Sequence, residues 1–325
     1  MKCLGIEGTA HTIAASIVTD KKEILSDVRA MYTTEKTGII PKDAAKHMEE
    51  KKDYILKEAL AQAKLSFDDI DLIAFSQGPG LAPSLLVTLK FAKELSIRYK
   101  KPLMGVNHLA AHLCSGFMFC PVKDPVYVFV SGANTQIIAL ESGRYRVFGE
   151  TLSIGLGNAL DKFGRAALLG FPAGPKIEQL AKSGSYIKLP YSVKGMDVDF
   201  SGIVTEAIKQ LKSGKKLEDL CFSLQETCFS MLTEVTERAV AHTDKNEVLL
   251  IGGVAANKRF SEMLNIMCKE RNCKFYVCPI KYAGDQAVMI AYLGLKMFKT
   301  QKLNPIEKLD ILPRWRVDEL EVTWH

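Results

Sequence analysis

The chain has 325 residues, a length that allows roughly two domains of ordinary size, each with a hydrophobic core of its own. Its residues are 47% hydrophobic and 25% charged, and no stretch approaches the roughly 18 consecutive apolar residues that a membrane span requires. The net charge of +6, from 43 basic against 37 acidic residues, permits a polyanionic partner such as RNA but does not establish one.

The N-terminus and the cysteines both indicate a cytoplasmic protein. The first residues reach Gly5 and Glu7 too early for the apolar region of a signal peptide. The eight cysteines include no Cys-x-x-Cys pair, and their spacings match no usual zinc module. We therefore expect reduced cysteines in the core of a cytoplasmic protein.

Two strand–turn–strand units share one design. Residues 3–18 are predicted to form two strands around a tight turn, and residues 126–140 repeat this arrangement. Aligning residues 8–12 with residues 131–135 matches an alanine, a polar side chain and a threonine. A repeat at nearly half the chain length indicates a duplicated domain rather than a solenoid.

Strands and long helices alternate around these hairpins, which predicts an α/β architecture with helices packed on sheets. The other predicted strands are residues 72–75, 103–106, 248–251 and 275–278, and the clearest helices are residues 43–64 and 83–100, one after Ala255 and one ending near Lys299. A mainly helical insertion is predicted at about residues 155–241. The first lobe is then residues 1–124 and the second is residues 125–325.

Two histidines lie at the predicted junction of a strand and a helix. Asn107 follows a short strand and can cap a helix that begins at His108. The i, i+4 spacing places the imidazoles of His108 and His112 on one face, where they can bind one cation. Surface or core histidines would show the same spacing, but ligands are usual at such a junction in α/β folds.

The neighbouring motifs refine this prediction. Asp285 either caps a helix that begins at Gln286 or adds a hard oxygen ligand to the histidine pair. Leu109 occupies the position of the glutamate in the metalloprotease His-Glu-x-x-His motif, so the general base of that motif is missing.

Five glycine-bearing loops, mostly at strand ends, are candidate phosphate sites. Glycine lets backbone N–H groups approach a phosphate closely, and a following helix adds a favourable dipole. A plain turn would explain any one of the loops, but their place in duplicated hairpins and after an apolar strand favours nucleotide binding. None matches the phosphate-binding or dinucleotide-binding glycine pattern. The loops begin at residues 8, 78, 131, 155 and 252.

Together these motifs resemble the universal tRNA threonylcarbamoyladenosine transferase family, the catalytic subunit of the archaeal and eukaryotic KEOPS complex, related to bacterial TsaD. The resemblance runs along the whole chain, and Asn134 is similar to the archaeal and eukaryotic branch. It is carried by residues 5–12, 76–80, 107–112, 130–135, 170–175, 198–202, 252–257 and 321–324.

The resemblance implies a duplicated, two-lobed fold of the actin, sugar-kinase and Hsp70 type (ASKHA), with the helical insertion in the second lobe. It also implies transfer of a threonylcarbamoyl group from its adenylate to the exocyclic amine of the adenosine beside the anticodon in tRNA. The transfer would be assisted by a metal and would form no covalent enzyme intermediate.

The resemblance further implies a set of ligands and partners. One divalent metal, iron or zinc, would be held by His108, His112 and Asp285. ATP or the threonylcarbamoyl-adenylate would occupy the nucleotide site. The implied partners are tRNA, a small kinase-like ATPase and a small dimerising subunit, with a separate enzyme supplying the adenylate. The residues assigned to substrate and nucleotide are Phe129, Ser131, Gly132, Ala133, Asp161, Gly174, Glu178 and Asn257.

Phe129 departs from the family pattern, because archaeal members usually carry a tyrosine there as a further metal ligand. Phenylalanine has no oxygen to offer, so three protein ligands are expected, with open positions for water or substrate.

Three other functions are alternatives to this transferase. A kinase or ATPase would need acidic residues in both hairpin turns, and Glu7 is the only one. Leu109 argues against a metallopeptidase, because it replaces the general base of that motif. A non-catalytic subunit of a tRNA-binding assembly can be distinguished from an enzyme only by an activity assay.

Overall fold

The structure, a computed structural model, describes residues 1–33 and 39–324. Contacts between Cα atoms divide the chain into two compact units. The first unit comprises Met1–Met118 together with Asp285–His325, and the second unit comprises Phe119–Gly284.

The strands of the described residues are short and mostly buried. In chain order they are β1 (Lys2–Glu7), β2 (Thr12–Thr19), β3 (Ile24–Met31), β4 (Leu72–Gly78), β5 (Leu103–Asn107), β6 (Val126–Val130), β7 (Thr135–Glu141), β8 (Arg144–Glu150), β9 (Val193–Lys194), β10 (Asp197–Val198), β11 (Glu247–Ile251) and β12 (Lys274–Val277).

The helices of the described residues cover the two large sheets and form the insertion of the second unit. In chain order they are α1 (Pro41–Ala63), α2 (Ala82–Tyr99), α3 (His108–Phe119), α4 (Leu156–Ala166), α5 (Gly174–Ala181), α6 (Ser201–Lys212), α7 (Leu217–Thr243), α8 (Lys258–Glu270), α9 (Ile280–Ala283) and α10 (Ala287–Thr300).

The first unit is built on a mixed sheet with the strand order β3-β2-β1-β4-β5. Strand β1 pairs antiparallel with β2 and parallel with β4, and β4 pairs parallel with β5. Helix α1 has Pro41 in its first turn, and its apolar positions Ala44, Met48, Ile55 and Ala59 are all buried. This spacing is that of one helical face, so α1 covers the sheet with an apolar stripe.

The second unit repeats the same topology. Its large sheet has the order β12-β11-β6-β7-β8, in which β6 and β7 form the antiparallel hairpin and β11 and β12 add in parallel. The predicted duplication and α/β class are therefore confirmed. The predicted helical insertion contains α4 to α7 and, in addition, the small antiparallel pair of β9 and β10.

Helix α10 groups with the first unit, whereas the sequence placed it in a second lobe of residues 125–325. The reason is close packing of small residues against β1 and β4. A Cβ atom added to Gly5 would lie 2.3 Å from the Ala287 carbonyl oxygen, and one added to Gly294 would lie 2.4 Å from the Ala74 Cβ. Backbones in such close contact leave no room for larger side chains. No helix of the described residues has both the length and the apolar character needed to cross a bilayer.

Candidate metal centre and nucleotide loops

The carboxyl ends of the parallel strands in the first sheet carry the histidine motif. Strand β5 ends at Asn107, and α3 begins at the next residue, His108. The Ala110 N–H donates to Asn107 Oδ1 at 3.0 Å, so Asn107 caps the helix as the sequence predicts. The other end of the same amide donates to the Trp315 carbonyl oxygen at 3.2 Å, which fixes the start of α3 from a second direction.

The structure brings the three predicted metal ligands together. His108, His112 and Asp285 each offer one ligand atom, and these atoms all lie within 4.8 Å of one another. Asp285 Oδ1 lies 3.5 Å from His108 Nε2 and 3.4 Å from His112 Nε2. Both histidines are almost completely buried: His108 has 8% of its surface exposed, and His112 has 2%.

Asp285 reaches this position because it lies two residues before α10, which packs on the first sheet. The alternative that Asp285 caps a helix beginning at Gln286 is wrong. The helix begins one residue later, at Ala287, and the cap is Gln286, whose Oε1 accepts from the Met289 N–H at 2.8 Å. The Asp285 carboxylate therefore does not cap the helix and faces the histidines instead.

The electrostatics of this cluster favour a positive charge between the side chains. Burial alone would lower the pKa of His108, but the carboxylates of Glu7 and Asp285 outweigh it and raise that pKa to about 10. Burial lowers the pKa of His112, against the opposing effect of Asp285. Burial opposes ionisation of Asp285, yet its contacts with both histidines hold its pKa well below the ordinary value. Two imidazoles and one ionised carboxylate form a donor set suited to a divalent transition metal.

Glu7 was noted in the sequence only as a turn carboxylate, and its contact with the histidine motif was missed. The side chain is fully buried at the end of β1, and its Oε2 lies 3.0 Å from His108 Nδ1. The signal was an acidic residue that ends an otherwise apolar, buried strand.

The C-terminal segment also contributes to this edge, although its sequence pattern is uninformative. The Leu312 N–H donates to the Gln77 carbonyl oxygen at 2.9 Å, and the Gly80 N–H donates to the Pro313 carbonyl oxygen at 3.2 Å. These bonds hold the predicted glycine loop that follows β4. These bonds were missed because the segment makes them with backbone groups, which leave no residue pattern.

In the second unit the predicted phosphate turn follows β6. The Ser131 N–H donates to the Asn134 carbonyl oxygen at 2.8 Å, and the Asn134 N–H donates to Ser131 Oγ at 3.0 Å. Gly132 and Ala133 are exposed at its tip, and within the part of the chain that the structure describes their N–H groups donate to no protein acceptor. A tight turn of exposed residues whose N–H groups are not engaged in this way is a suitable contact for an anionic oxygen.

The glycine loop at residues 155–157 supports this turn. The Gly157 N–H donates to the Ser131 carbonyl oxygen at 3.1 Å, and the Asn158 N–H donates to the Gly132 carbonyl oxygen at 2.9 Å. A Cβ atom on Gly157 would lie 2.8 Å from Gly132 Cα. Glycine is therefore needed here for close packing of α4 on the turn, and these N–H groups are already engaged.

The loop after β11 lies beside the same turn. Strands β6 and β11 are parallel neighbours, so their carboxyl ends share one edge of the sheet. Gly252 has a φ of +102°, and a Cβ atom added to it would lie 2.3 Å from the Val130 carbonyl oxygen. Only glycine fits this conformation and this approach.

Two of the remaining predicted nucleotide residues, Asp161 and Glu178, link neighbouring elements through hydrogen bonds. Asp161 Oδ1 accepts from the Ala173 N–H at 2.8 Å, which ties α4 to the residue preceding Gly174 and α5. Glu178 Oε1 accepts from the Lys258 N–H at 2.8 Å, at the first residue of α8. Burial raises the pKa of Asp161, against the lowering effects of the Ala173 N–H and Arg165.

Asn257 is the cap of α8. Its Oδ1 accepts from the Phe260 N–H at 3.1 Å, and its Nδ2 donates to Gln225 Oε1 at 2.9 Å. The side chain is buried, with 7% of the residue exposed. Phe129 also belongs to this unit; its ring is buried in β6 and has no ligand atom.

Comparison with known proteins decides the family. The family profile described as tRNA N6-adenosine threonylcarbamoyltransferase matches residues 23–292. A protein of Thermococcus sibiricus named tRNA N6-adenosine threonylcarbamoyltransferase is 57% identical over the whole of both chains. The chain belongs to the tRNA N6-adenosine threonylcarbamoyltransferase family. The expectation of an enzyme of this transferase class is thus confirmed.

Two further comparisons bear on domain content and fold. A probable bifunctional tRNA threonylcarbamoyladenosine biosynthesis protein of Methanocaldococcus jannaschii is 50% identical over all of this chain and 60% of its own length. The ROK hexokinase of Thermus thermophilus superposes with a TM-score of 0.50 over 92% of this chain and 99% of its own, at 16% identity. The second similarity concerns the fold alone and agrees with the expected ASKHA fold.

Proposed function

We propose that this chain transfers a threonylcarbamoyl group from threonylcarbamoyl-adenylate to the exocyclic amine of the adenosine adjacent to the anticodon in tRNA. Membership of the transferase family supports the reaction class. The observation that carries the chemical part of the proposal is the convergence of His108, His112 and Asp285 at the carboxyl edge of the first sheet.

The metal site is proposed to have three protein ligands. His108 and His112 supply imidazole nitrogens, and Asp285 supplies a carboxylate oxygen, a set that suits iron or zinc. Phe129 offers no ligand atom, so positions remain for water or substrate. When bound, such a metal supplies Lewis-acid polarisation of the acyl carbonyl.

The nucleotide is proposed to bind at the carboxyl edge of the second sheet. The N–H groups of the exposed residues Gly132 and Ala133 are suited to an anionic oxygen of the adenylate, and Ser131 holds the turn that carries them. Asp161, Gly174, Glu178 and Asn257 are proposed to contact the adenosine part. Because Asp161, Glu178 and Asn257 already accept bonds from the backbone, their contacts with a nucleotide must use the remaining oxygen or lone pair.

The proposed partners follow from the family and from the charge of the chain. The affinity of a protein for tRNA depends mainly on the number of phosphates that it neutralises. A net charge of +6 distributed over 325 residues provides little such affinity. We therefore expect efficient transfer to need a small kinase-like ATPase and a small dimerising subunit, with a separate enzyme supplying the adenylate in the cytoplasm.

The kinase alternative is weakened by the surroundings of Glu7. The carboxylate is fully buried and bonded to Thr9 and His108, so it is not placed in solvent as a magnesium ligand or a general base. The equivalent turn at residues 131–134 contains no carboxylate. The peptidase alternative lacks a general base in the histidine motif, as Leu109 indicates.

The test is a transfer assay with the purified full chain, the adenylate and tRNA, with and without the two partner proteins. Modified adenosine is measured in digested tRNA by mass spectrometry. We expect modification that depends on the partners and is lost in His108→Ala. ATP hydrolysis without tRNA modification under every condition would contradict the proposal, and full turnover by the chain alone would contradict the dependence on partners.

A further inference from the structure

The buried carboxylate of Glu7 has no role in the proposed chemistry. An isolated buried charge is costly, so a buried carboxylate needs donors on both oxygens. Glu7 Oε1 accepts from the Thr9 N–H at 2.8 Å and from the Thr9 hydroxyl at 2.6 Å. Its Oε2 lies 3.0 Å from His108 Nδ1. The carboxylate is thus fully engaged, and one of its three partners is a proposed metal ligand.

The contact between Glu7 and His108 determines which imidazole nitrogen of His108 can bind a metal. An ionised carboxylate can only accept a hydrogen bond, so the proton shared at 3.0 Å belongs to His108 Nδ1. In the neutral imidazole the lone pair is then on Nε2, which is the atom that faces Asp285 at 3.5 Å. The Nδ1 contact therefore orients Nε2 toward the other two ligands.

The turn after β1 holds the carboxylate itself in place. The Gly8 N–H donates to Ser76 Oγ at 2.9 Å, and the Thr88 hydroxyl donates to the Gly8 carbonyl oxygen at 3.0 Å. The Thr9 hydroxyl donates to Glu7 and lies 3.4 Å from His108 Nδ1. The carboxylate can therefore rotate little, and the direction of its Oε2 is set by the backbone of the turn.

We infer that Glu7 is a positioning residue for the metal centre. It fixes the tautomer and the ring orientation of His108 from behind the ligand nitrogen, and Thr9 orients the carboxylate. This arrangement is that of a carboxylate–histidine–metal triad, in which the outer carboxylate also raises the basicity of the ligand. The inference rests on the proposed metal site at His108, His112 and Asp285.

The test compares Glu7→Gln with a matched control. Glu247→Gln makes the same change at another buried glutamate, in the second unit, where the carboxylate accepts from the Lys123 and Asp124 N–H groups. Each full-length protein is stripped of metal and titrated with Zn²⁺ or Co²⁺ alone by competition with a chelator. Glu7→Gln is expected to weaken metal binding by about 10- to 100-fold, whereas Glu247→Gln is expected to leave it unchanged.

A second readout separates positioning from folding. The chain has six histidines, so two-bond ¹H–¹⁵N spectra can resolve the tautomer of His108. The wild type is expected to show Nδ1 protonation and Nε2 as the ligand nitrogen in the zinc form, and Glu7→Gln is expected to lose this preference. Should Glu7→Gln fail to fold, Thr9→Val keeps the carboxylate and removes one donor, and a several-fold weaker zinc affinity is expected.

The outcomes distinguish this inference from the metal site itself. If His108→Ala abolishes zinc binding while Glu7→Gln binds zinc with wild-type affinity and tautomer, Glu7 has no positioning role and the site stands. If His108→Ala retains wild-type zinc affinity, the proposed site fails and the inference with it. If Glu247→Gln loses as much zinc affinity as Glu7→Gln, the inference is overturned, because the loss would then follow from replacing any buried glutamate with glutamine.

Discussion

Replacing Asn257 with alanine removes two hydrogen bonds at the start of α8. The Phe260 N–H loses the acceptor that caps the helix, and Gln225 Oε1 loses the Asn257 amide, which donates to it at 2.9 Å. Both Asn257 and Gln225 are buried, so water does not readily replace the lost partners. The variant should therefore be less stable before any effect on a nucleotide is considered.

The expected magnitude follows from these two losses. Removing a helix N-cap costs about 1 kcal/mol, and leaving a buried acceptor unsatisfied costs about 1–3 kcal/mol. Asn257→Ala is thus expected to lower the free energy of unfolding of the second unit by about 2–4 kcal/mol. Asn257→Asp keeps an oxygen for the Phe260 N–H, and the Gln225 amide can turn to donate its N–H. This variant is expected to lose less than about 1 kcal/mol.

Urea unfolding followed by far-UV circular dichroism measures the stability of both variants, and calorimetry with ATP measures binding below the unfolding transition. If Asn257 contacts the nucleotide, Asn257→Ala should also weaken ATP binding by about 1 kcal/mol, the value of one hydrogen bond. An unfolding free energy of Asn257→Ala equal to that of the wild type would refute the reasoning from the cap. Unchanged ATP affinity would remove Asn257 from the nucleotide site.

Four further substitutions test other parts of the structure. His108→Ala and His112→Ala should each lose bound metal and tRNA modification together with unchanged circular dichroism, and undiminished metal in both would contradict the site. Gly252→Ala places a Cβ atom at a positive φ next to a β6 carbonyl, so the free energy of unfolding in urea is expected to fall by about 1–3 kcal/mol. An unfolding midpoint equal to that of the wild type would count against this. Burial raises the pKa of Asp161 above its ordinary value of 3.8. Protonation of Asp161 therefore contributes to the free energy of unfolding below pH 3.8, and this contribution is lost as the pH rises through the pKa of the folded state. Asp161→Asn should flatten this part of the stability curve, and identical curves would exclude the effect.

The sequence predicted those parts of the fold in which one element carries its own pattern. Strand β6 was predicted at residues 126–130 and is Val126–Val130, because an uninterrupted β-branched and aromatic run has no helical alternative of that length. Strands β3 and β8 were missed. They are outer strands with mixed polar residues, such as Arg29 and Arg146, and their pairing depends on the preceding strand rather than on their own composition.

The site was predictable where its residues are local in sequence and less so where they meet through packing. The histidine pair and the Asn107 cap are set within one strand and helix, so their spacing indicated them. Glu7 meets His108 only because β1 and β5 flank β4 in the sheet. Strand order is not encoded in any single segment, which is why this contact escaped the sequence argument.

The two sheets have one topology, yet their equivalent edges carry different chemistry, and the difference can be traced to a few positions. In the first hairpin turn an acid, Glu7, ends β1, and its charge is balanced by the imidazole of His108 on α3. In the second hairpin the equivalent strand ends in Val130, and the turn offers exposed backbone N–H groups at Gly132 and Ala133. A buried carboxylate favours a neighbouring cation, whereas unengaged backbone N–H groups at an exposed turn favour an anion. The duplication therefore gives one edge suited to a metal and another suited to a phosphate, the two ligands that the proposed metal-assisted transfer from an adenylate requires.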